Sequence, residues 1–344
     1  MPDLTCPLPI TDYPNVLLAH GAGGQLMHQL LDTLIVPALG PALTPAGHDA
    51  AVLPTPPGQP ALTTDSYVVR PLFFPGGDIG RLAVYGTVND LAMAGAVPLA
   101  LTLGLIIEEG LPTETLWRVL LSVREAALDA GVRIVTGDTK VVERGHGDGI
   151  YINTTGLGRI EHEKIVMPER IAAGDAILVS GDIGRHGMAV MGEREGLAFS
   201  TPIESDCAPL WKTVDAMLSA GIDVHCMRDA TRGGLCAVLN ELAQAAGLRF
   251  DVVERDIPVS ESVRGACEVL GLDALQVACE GRFVVIVPKK DEARALAILK
   301  TENETASVVG RVTDGEHGLV TLETPIGGRR ILDMPAGELL PRIC

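Results

Sequence analysis

From Ala61 onward the chain alternates strand-length apolar runs with segments of helical spacing, each closed by Gly or Pro. That alternation confines it to sheets covered by helices. ALTTDSYVV reads as a strand, the Gly-opened apolar stretch from about Asp78 to Gly95 as a helix, and PLALTLGLII as a buried strand. LPTETLWRVLLSVREAALDAG carries a Thr cap, an acidic first turn, apolar residues at helical spacing and a Gly stop, which predict a helix. RIVTGDTKVV and GIYINTTGLGRI are β-branched, Gly-bounded strands. A second unit opens at AILVSG. It places helices near 205–220, after RDATRGG, from Ser260 to Leu270 and from Asp291, among the strands RFDVVERDI, RFVVIVP, SVVGRV and GLVTLET.

The polar, Pro- and Gly-containing break MPERIAAGD, residues 167–175, separates the two units, and 344 residues are too many for most single cores. The expected fold class is α/β to α+β in two domains. An N-terminal α/β domain covers 1–165, a C-terminal α+β domain covers 166–334, and a flexible C-terminal tail covers 335–344. Mixed sheets are favoured, although alternation alone also permits a doubly wound parallel sheet. The tail, PAGELLPRIC, holds two prolines and a glycine and forms no regular element.

Charge and composition narrow the partners. A net charge of −17 repels a phosphate backbone and 3% aromatic residues supply few stacking platforms, so nucleic acid is not an expected partner. The apolar run from Val97 to Ile107 is well short of the ~20 residues of a membrane span. The first residues lack a basic segment followed by an apolar one, and the expected location is cytoplasmic. Seven Cys, at 6, 207, 226, 236, 267, 279 and 344, are an odd number with no CxxC pair, so free thiols are expected and the six internal ones read as small buried hydrophobes. A thiol in a tail is ordinarily mute.

An acidic chain that binds an anion must do so locally, through backbone N–H groups or carboxylate-held cations. No Gly-Lys pair for a P-loop and no complete GxGxxG is present. AHGAGGQL (19–26) and SGDIGRHG (180–187) are Gly-rich turns, each weak evidence alone. More informative are Asp49, Asp65, Asp90, Asp138 and Asp229, which sit beside small or apolar residues at strand ends and helix starts. Capping explains one or two of them; together they would repel, and Mg²⁺ bridging them to nucleotide phosphates is the functional reading. Lys140 follows Asp138 by two residues, so a strand projects both from one face. Glu280 stands at the mouth of an apolar strand, where partial burial would raise its proton affinity toward acid–base work, although such a Glu is usually an ordinary surface residue. RDATRGG offers Arg232 and a Gly pair before a helix, either an anion clamp or a structural turn.

Taken together, AHGAGGQ, TTDSYVVRPLFFPGGDIGRLAVYGT, ND, EEGLP, TGDTKVV, INTTGLG, VSGDIGRHG, RDATRGG, SVRGACEVLGLDAL, CEGR and the terminal PRIC resemble the hydrogenase maturation carbamoyl dehydratases, the HypE family. The resemblance runs in order over almost the whole chain. Its wider relatives are the aminoimidazole ribonucleotide synthetase, selenophosphate synthetase and thiamine-monophosphate kinase group. The resemblance implies that Cys344 receives a carbamoyl group from a carbamoyltransferase, HypF, and that the S-carboxamide is dehydrated to an S-cyanide with ATP and Mg²⁺. The cyanide then passes to the iron of a [NiFe]-hydrogenase centre on a HypC–HypD complex.

It also implies a homodimer formed through the N-terminal sheet. The carried-over roles are Glu280 as proton acceptor and Lys140 as orienting cation at Cys344. Asp49, Asp65, Asp90, Asp138 and Asp229 lie around metal and phosphates, and Asn153, Thr231, Arg232 and Gly233 join them at the nucleotide. His48 stands where the wider group often has an acid, which leaves the number of ions open, and reads as a hydrogen-bonding neighbour rather than a ligand. Two alternatives remain: a small-molecule kinase or synthetase on the same body, for which Cys344 is dispensable, and a scaffold presenting a terminal thiol, which binds no nucleotide.

Overall fold

The computed structural model describes residues 13–44, 50–54, 58–197, 202–315, 317–337, 340 and 342–344. Two short helices, α1 (Gln25–Leu30) and α2 (Val36–Leu39), precede a mixed four-stranded sheet. Its strands are β1 (Gln59–Tyr67), β4 (Val97–Glu108), β5 (Arg133–Val142) and β6 (Ile150–Ile160), ordered β1-β6-β4-β5. β6 runs antiparallel to β1 and β4, whereas β4 and β5 are parallel. A small hairpin, β2 (Phe73–Phe74) and β3 (Gly77–Asp78), leads into α3 (Ile79–Met93), and α4 (Thr113–Asp129) joins β4 to β5.

Helix α3 starts where Asp78 accepts hydrogen bonds from the Gly80 and Arg81 amides at 2.7 and 3.1 Å. It is buried almost all round, because β1 and β6 lie on one side, α4 on another and the second unit on a third. Fully burying each of Leu82, Val84 and Val88 contributes about 1.5–3 kcal/mol. Along β1 the alternation is legible: Leu62, Thr64 and Ser66 face out, while Thr63 and Tyr67 reach back to α3. The predicted Thr cap of α4 is corrected. Pro112 occupies the cap, and the Thr113 hydroxyl instead donates to the Tyr13 and Pro14 carbonyls, tying the preceding chain to the helix.

The second unit is a mixed seven-stranded sheet in the order β13-β12-β9-β11-β7-β10-β8. In chain order its elements are β7 (Ala176–Val179), α5 (Arg185–Glu195), α6 (Trp211–Ser219), β8 (Cys226–Asp229), α7 (Gly234–Ala246), β9 (Arg249–Val253) and α8 (Glu261–Leu270). They continue with β10 (Phe283–Val287), α9 (Glu292–Glu302), β11 (Ser307–Thr313), β12 (Val320–Glu323) and β13 (Arg329–Ile331). Of these pairings only β12 with β9 is parallel, which rules out the doubly wound alternative. The helix expected from Ser260 to Leu270 is α8, with Ser260 as its N-cap.

Several elements were not anticipated: α1, α2, the β2–β3 hairpin, β8, β13, and α5, which grows out of the Gly-rich turn 180–187. Met188, Ala189 and Val190 of α5 and Val263 and Ala266 of α8 join the core of the N-terminal sheet, so the two units share apolar contacts. Among the described residues no cysteine is disulfide-bonded, and no helix is long and apolar enough to cross a membrane.

Candidate active site

The tail does not hang free. Its last residues enter a cavity of about 450 Å³ whose walls include Ser66, Val68, Arg232, Gly233, Gln276 and Ala278. Leu340 and Ile343 are buried, and Cys344 is partly buried against Glu280. Burial, then the Glu280 charge, pushes the Cys344 thiol well up, and the Arg232 guanidinium opposes this.

Glu280 is 4% exposed in the bend before β10, and its Oε1 has no hydrogen-bond partner. Burial raises its proton affinity well above that of an ordinary carboxyl, with the charges of Asp229, Asp206 and Asp65 adding to it. The backbone holds it from two sides. Asn89 of α3 donates to the Glu280 carbonyl at 3.2 Å and to that of Ala208 at 3.0 Å, while accepting the Leu210 amide at 2.8 Å. Asp206 accepts the Gly281 amide at 3.1 Å and the His186 amide at 3.0 Å. Gly281 must be glycine, since a Cβ there would lie 1.9 Å from the Asp206 carbonyl oxygen.

Three predicted carboxylates converge here. Asp65 stands on the inner face of β1, Asp90 near the end of α3 and Asp229 at the end of β8. Thr63 donates to Asp90 at 2.8 Å. Burial raises Asp90, with the Asp65 charge contributing, and burial followed by the Asp90 charge pushes Asp229 up to about 7. Thr231 and Arg232 lie between β8 and α7. Gly233 and Gly234, with φ of +75° and +60°, turn the chain into that helix, so the pair serves the turn whatever else it binds.

The other predicted residues lie across the sheet. Ser66, Asn153, Gly104 and Asp138 stand in one cross-strand row on β1, β6, β4 and β5, on the face not covered by α3. Asn153 donates to the Asp65 carbonyl at 2.8 Å and the Ser66 hydroxyl at 3.0 Å, so it borders the site. Asp138, three strands and roughly 14 Å from β1, pairs at 2.7 Å with Lys140, and both side chains are more than half exposed. Lys140 is not among the leading charges acting on Glu280 or Cys344. Asp49 and His48 lie outside the described residues.

Among the described residues, no three His, Cys, Asp or Glu side chains converge tightly enough to cage a metal. The donors are nonetheless the hard oxygens that Mg²⁺ prefers, and Mg²⁺ is commonly held by one or two carboxylates with phosphates and water completing its shell. The like charges of Asp65, Asp90 and Asp229, brought together and only partly offset by Arg228 and Arg232, fit such a shared ion. Sequence reasoning gave no role to His186, Asp206 or Asn89; the ND pair and the SGDIGRHG turn contain Asn89 and His186, but nothing local marks Asp206.

Residues 47–160 match the family described as AIR synthase related protein, N-terminal domain, and residues 172–323 match AIR synthase related protein, C-terminal domain. The carbamoyl dehydratase HypE of Azotobacter vinelandii is 48% identical over 332 residues, covering 96% of this chain and 97% of that one. A crystal structure of hydrogenase maturation protein HypE in complex with ATP superposes with a TM-score of 0.91 at 45% identity, covering 95% of this chain and 99% of the other. The crystal structure of a HypE–HypF complex gives 0.78 at 45% identity, over 91% and 100% of the two chains. The paired domains, the near-complete coverage and the carboxylate site at the seated tail lead to one assignment: the chain belongs to the carbamoyl dehydratase HypE family of hydrogenase maturation proteins.

Proposed function

We propose that this protein dehydrates an S-carboxamide on its own Cys344 to an S-cyanide, using ATP, and so supplies the cyanide ligand for the iron centre of a [NiFe]-hydrogenase. The observation that carries this reading is the seating of the terminal thiol against a buried carboxyl whose Oε1 has no hydrogen-bond partner. A carbamoyl group on that sulfur would stand beside Glu280, in a cavity that opens toward Arg232 and Gly233.

Amide dehydration has a poor leaving group, so the oxygen must be activated. The carboxamide oxygen attacks the γ-phosphorus of ATP and ADP leaves. One N–H proton is lost, giving an O-phosphorylated isourea-like intermediate on sulfur. Loss of the second N–H proton then expels phosphate and forms the C≡N bond. The balance is R–S–CONH₂ + ATP → R–S–CN + ADP + phosphate.

Glu280 is the acceptor for these protons, and the burial that raises its proton affinity is what a base for a weakly acidic N–H requires. Arg232 and the Gly233–Gly234 turn at the start of α7 face the transferred phosphoryl group. Asp65, Asp90 and Asp229, with Asp49, are the residues that would hold Mg²⁺, which when bound neutralises phosphate charge.

Lys140 and Asp138 enter through a second copy of the chain. Among the described residues the sheet bears helices on one face only, and its other face shows Leu62 at 74% and Ile106 at 44% exposure beside Thr64, Ser66 and Asn153. A homodimer closing that face would bring one protomer's Lys140 toward its partner's site. In the same reading HypF donates the carbamoyl group, a HypC–HypD complex accepts the cyanide, and the reaction runs in the cytoplasm. A HypE–HypF complex is known for a relative 45% identical to this chain.

The test is the mass of the C-terminal peptide after incubation with Mg·ATP and the HypF carbamoyl-donor system. Loss of one water from carbamoylated Cys344 supports the reading. ATP turnover on a diffusible substrate that persists in Cys344→Ala would instead make this a kinase, and absence of Mg·ATP binding would make it a scaffold.

A further inference from the structure

We propose that helix α5 is a clamp that seats the tail, with His186 and Arg194 as positioning residues that grip the last backbone carbonyls and set how deeply Cys344 meets Glu280. Nothing in the residues of the tail gives it a preferred shape. Its place must come from what holds it.

His186 is fully buried near the start of α5. Its Nε2 lies 3.0 Å from the Ile343 carbonyl oxygen and its Nδ1 lies 2.9 Å from the Ser205 hydroxyl. The Ile343 carbonyl can only accept, so Nε2 carries the proton, and Nδ1 of the neutral ring accepts from the Ser205 hydroxyl, whose oxygen also accepts the Cys207 amide at 3.1 Å. The ring is therefore the Nε2–H tautomer and donates to Ile343. Phe74 meets the ring edge-on at 5.3 Å and fixes its plane. Burial lowers its basicity and keeps it neutral.

Eight residues on, Arg194 donates to the Arg342 carbonyl at 2.6 Å, and through Nε and Nη2 to the Arg70 carbonyl at 2.9 and 2.6 Å. The Arg70 amide also donates to the Arg342 carbonyl at 3.2 Å. Between these grips α5 carries Gly187, where a Cβ would lie 2.5 Å from Val277 and 3.2 Å from Leu340 of the tail. A side chain there would crowd the tail. The Arg342 guanidinium pairs with Asp148, which also binds Arg70 at 3.0 Å.

The seated backbone is not one the tail would choose. Arg342 has φ of +59°, the only positive value outside glycine among the described residues, a left-handed conformation that costs free energy for an L residue with a side chain. External bonds must supply that, and the two α5 side chains provide them. The clamp deepens the dehydratase reading only in its catalytic consequence; the seating can be tested without the reaction.

The experiment is alkylation of full-length protein by iodoacetamide without nucleotide, read peptide by peptide by mass spectrometry, with thermal melting as the folding control. Variants are His186→Leu, His186→Gln, which keeps a donor, and Arg194→Met. Expected are a rise of about tenfold or more in Cys344 labelling for the first and third, and a rate within about threefold of wild type for His186→Gln. Labelling of Cys207 and Cys279 stays unchanged. An unchanged Cys344 rate in folded His186→Leu and Arg194→Met, or an equal rise at Cys207 and Cys279, overturns the clamp. If His186→Leu does not fold, Arg194→Met and His186→Gln decide alone. Failure of the dehydratase reading leaves these rates standing. If both hold, Arg194→Met slows single-turnover conversion of carbamoylated Cys344 while Mg·ATP affinity is unchanged.

Discussion

The Cys344 thiol lies against the buried Glu280 carboxyl, whose charge and hydrogen bond raise the thiol's proton affinity, while the thiol's hydrogen bond slightly offsets the burial that raises Glu280. A nucleophilic thiol would need the opposite environment, with its thiolate favoured. The pair therefore suits a seated, already substituted sulfur whose attached group is worked on by Glu280, and free Cys344 is a poor nucleophile while it stays docked.

Glu280→Gln keeps the shape and loses the base. Carbamoylated Cys344 should accumulate, and S-cyanide formation should fall by about 10²–10⁴-fold. Thermal stability should not fall, because a buried carboxyl with an unpartnered oxygen is itself costly. Peptide mass against time measures the first and a melting curve the second; dehydration within tenfold of wild type would remove Glu280 from the base role.

Lys140→Ala and Glu280→Gln should each be inactive alone and recover activity when the two proteins are unfolded together and refolded as a mixture. If Lys140 serves the partner's site, half of the dimers are mixed and one of their two sites is intact, so about a quarter of wild-type activity returns. No recovery would place Lys140 in its own chain's site or outside the chemistry.

Gly281→Ala should be destabilising by on the order of 3 kcal/mol, because its Cβ meets the Asp206 backbone rather than a yielding side chain. A urea midpoint reports the loss. Because Asp206 also holds the His186 amide, Cys344 alkylation should rise in the same variant.

Asp223 gathers Arg170 at 2.7 Å and Lys164 at 3.0 Å, and the Arg170 hydrogen bond is the first cause that holds it at about 2. A depressed carboxyl stabilises the fold above its unfolded value near 3.9 and loses that contribution as pH falls through about 2. Asp223→Asn should lower stability at pH 5 by ~1 kcal/mol or less, since Lys164 is solvent-exposed, and the difference should vanish by about pH 2. Melting temperatures of both proteins across pH 2–5 check it. A difference that persists at pH 2 would show that the pairs contribute nothing.

Periodicity alone placed β1, α3, β4, α4, β5 and β6, because each satisfies its own pattern: alternation in β1, a near-continuous apolar face in α3, a Gly stop after α4. It missed α5, since His186, Gly187 and their neighbours form a helix only when Met188 and Val190 are buried against the first sheet. The short residue-to-residue spacings also showed that Asp138 and Lys140 share a face. Which face, and how far from Glu280, depends on strand order, a relation between segments distant in sequence. Asp206 and His186 are legible only in three dimensions, where a carboxylate reaches Gly281 from 75 residues away and an imidazole reaches Ile343 from 157. Local pattern and motif thus decide the elements, the family and the chemistry-bearing residue types. Burial and long-range hydrogen bonds decide what those residues can do, for a carboxyl becomes a base and a loose tail a seated substrate only once the packed chain has removed water and supplied partners.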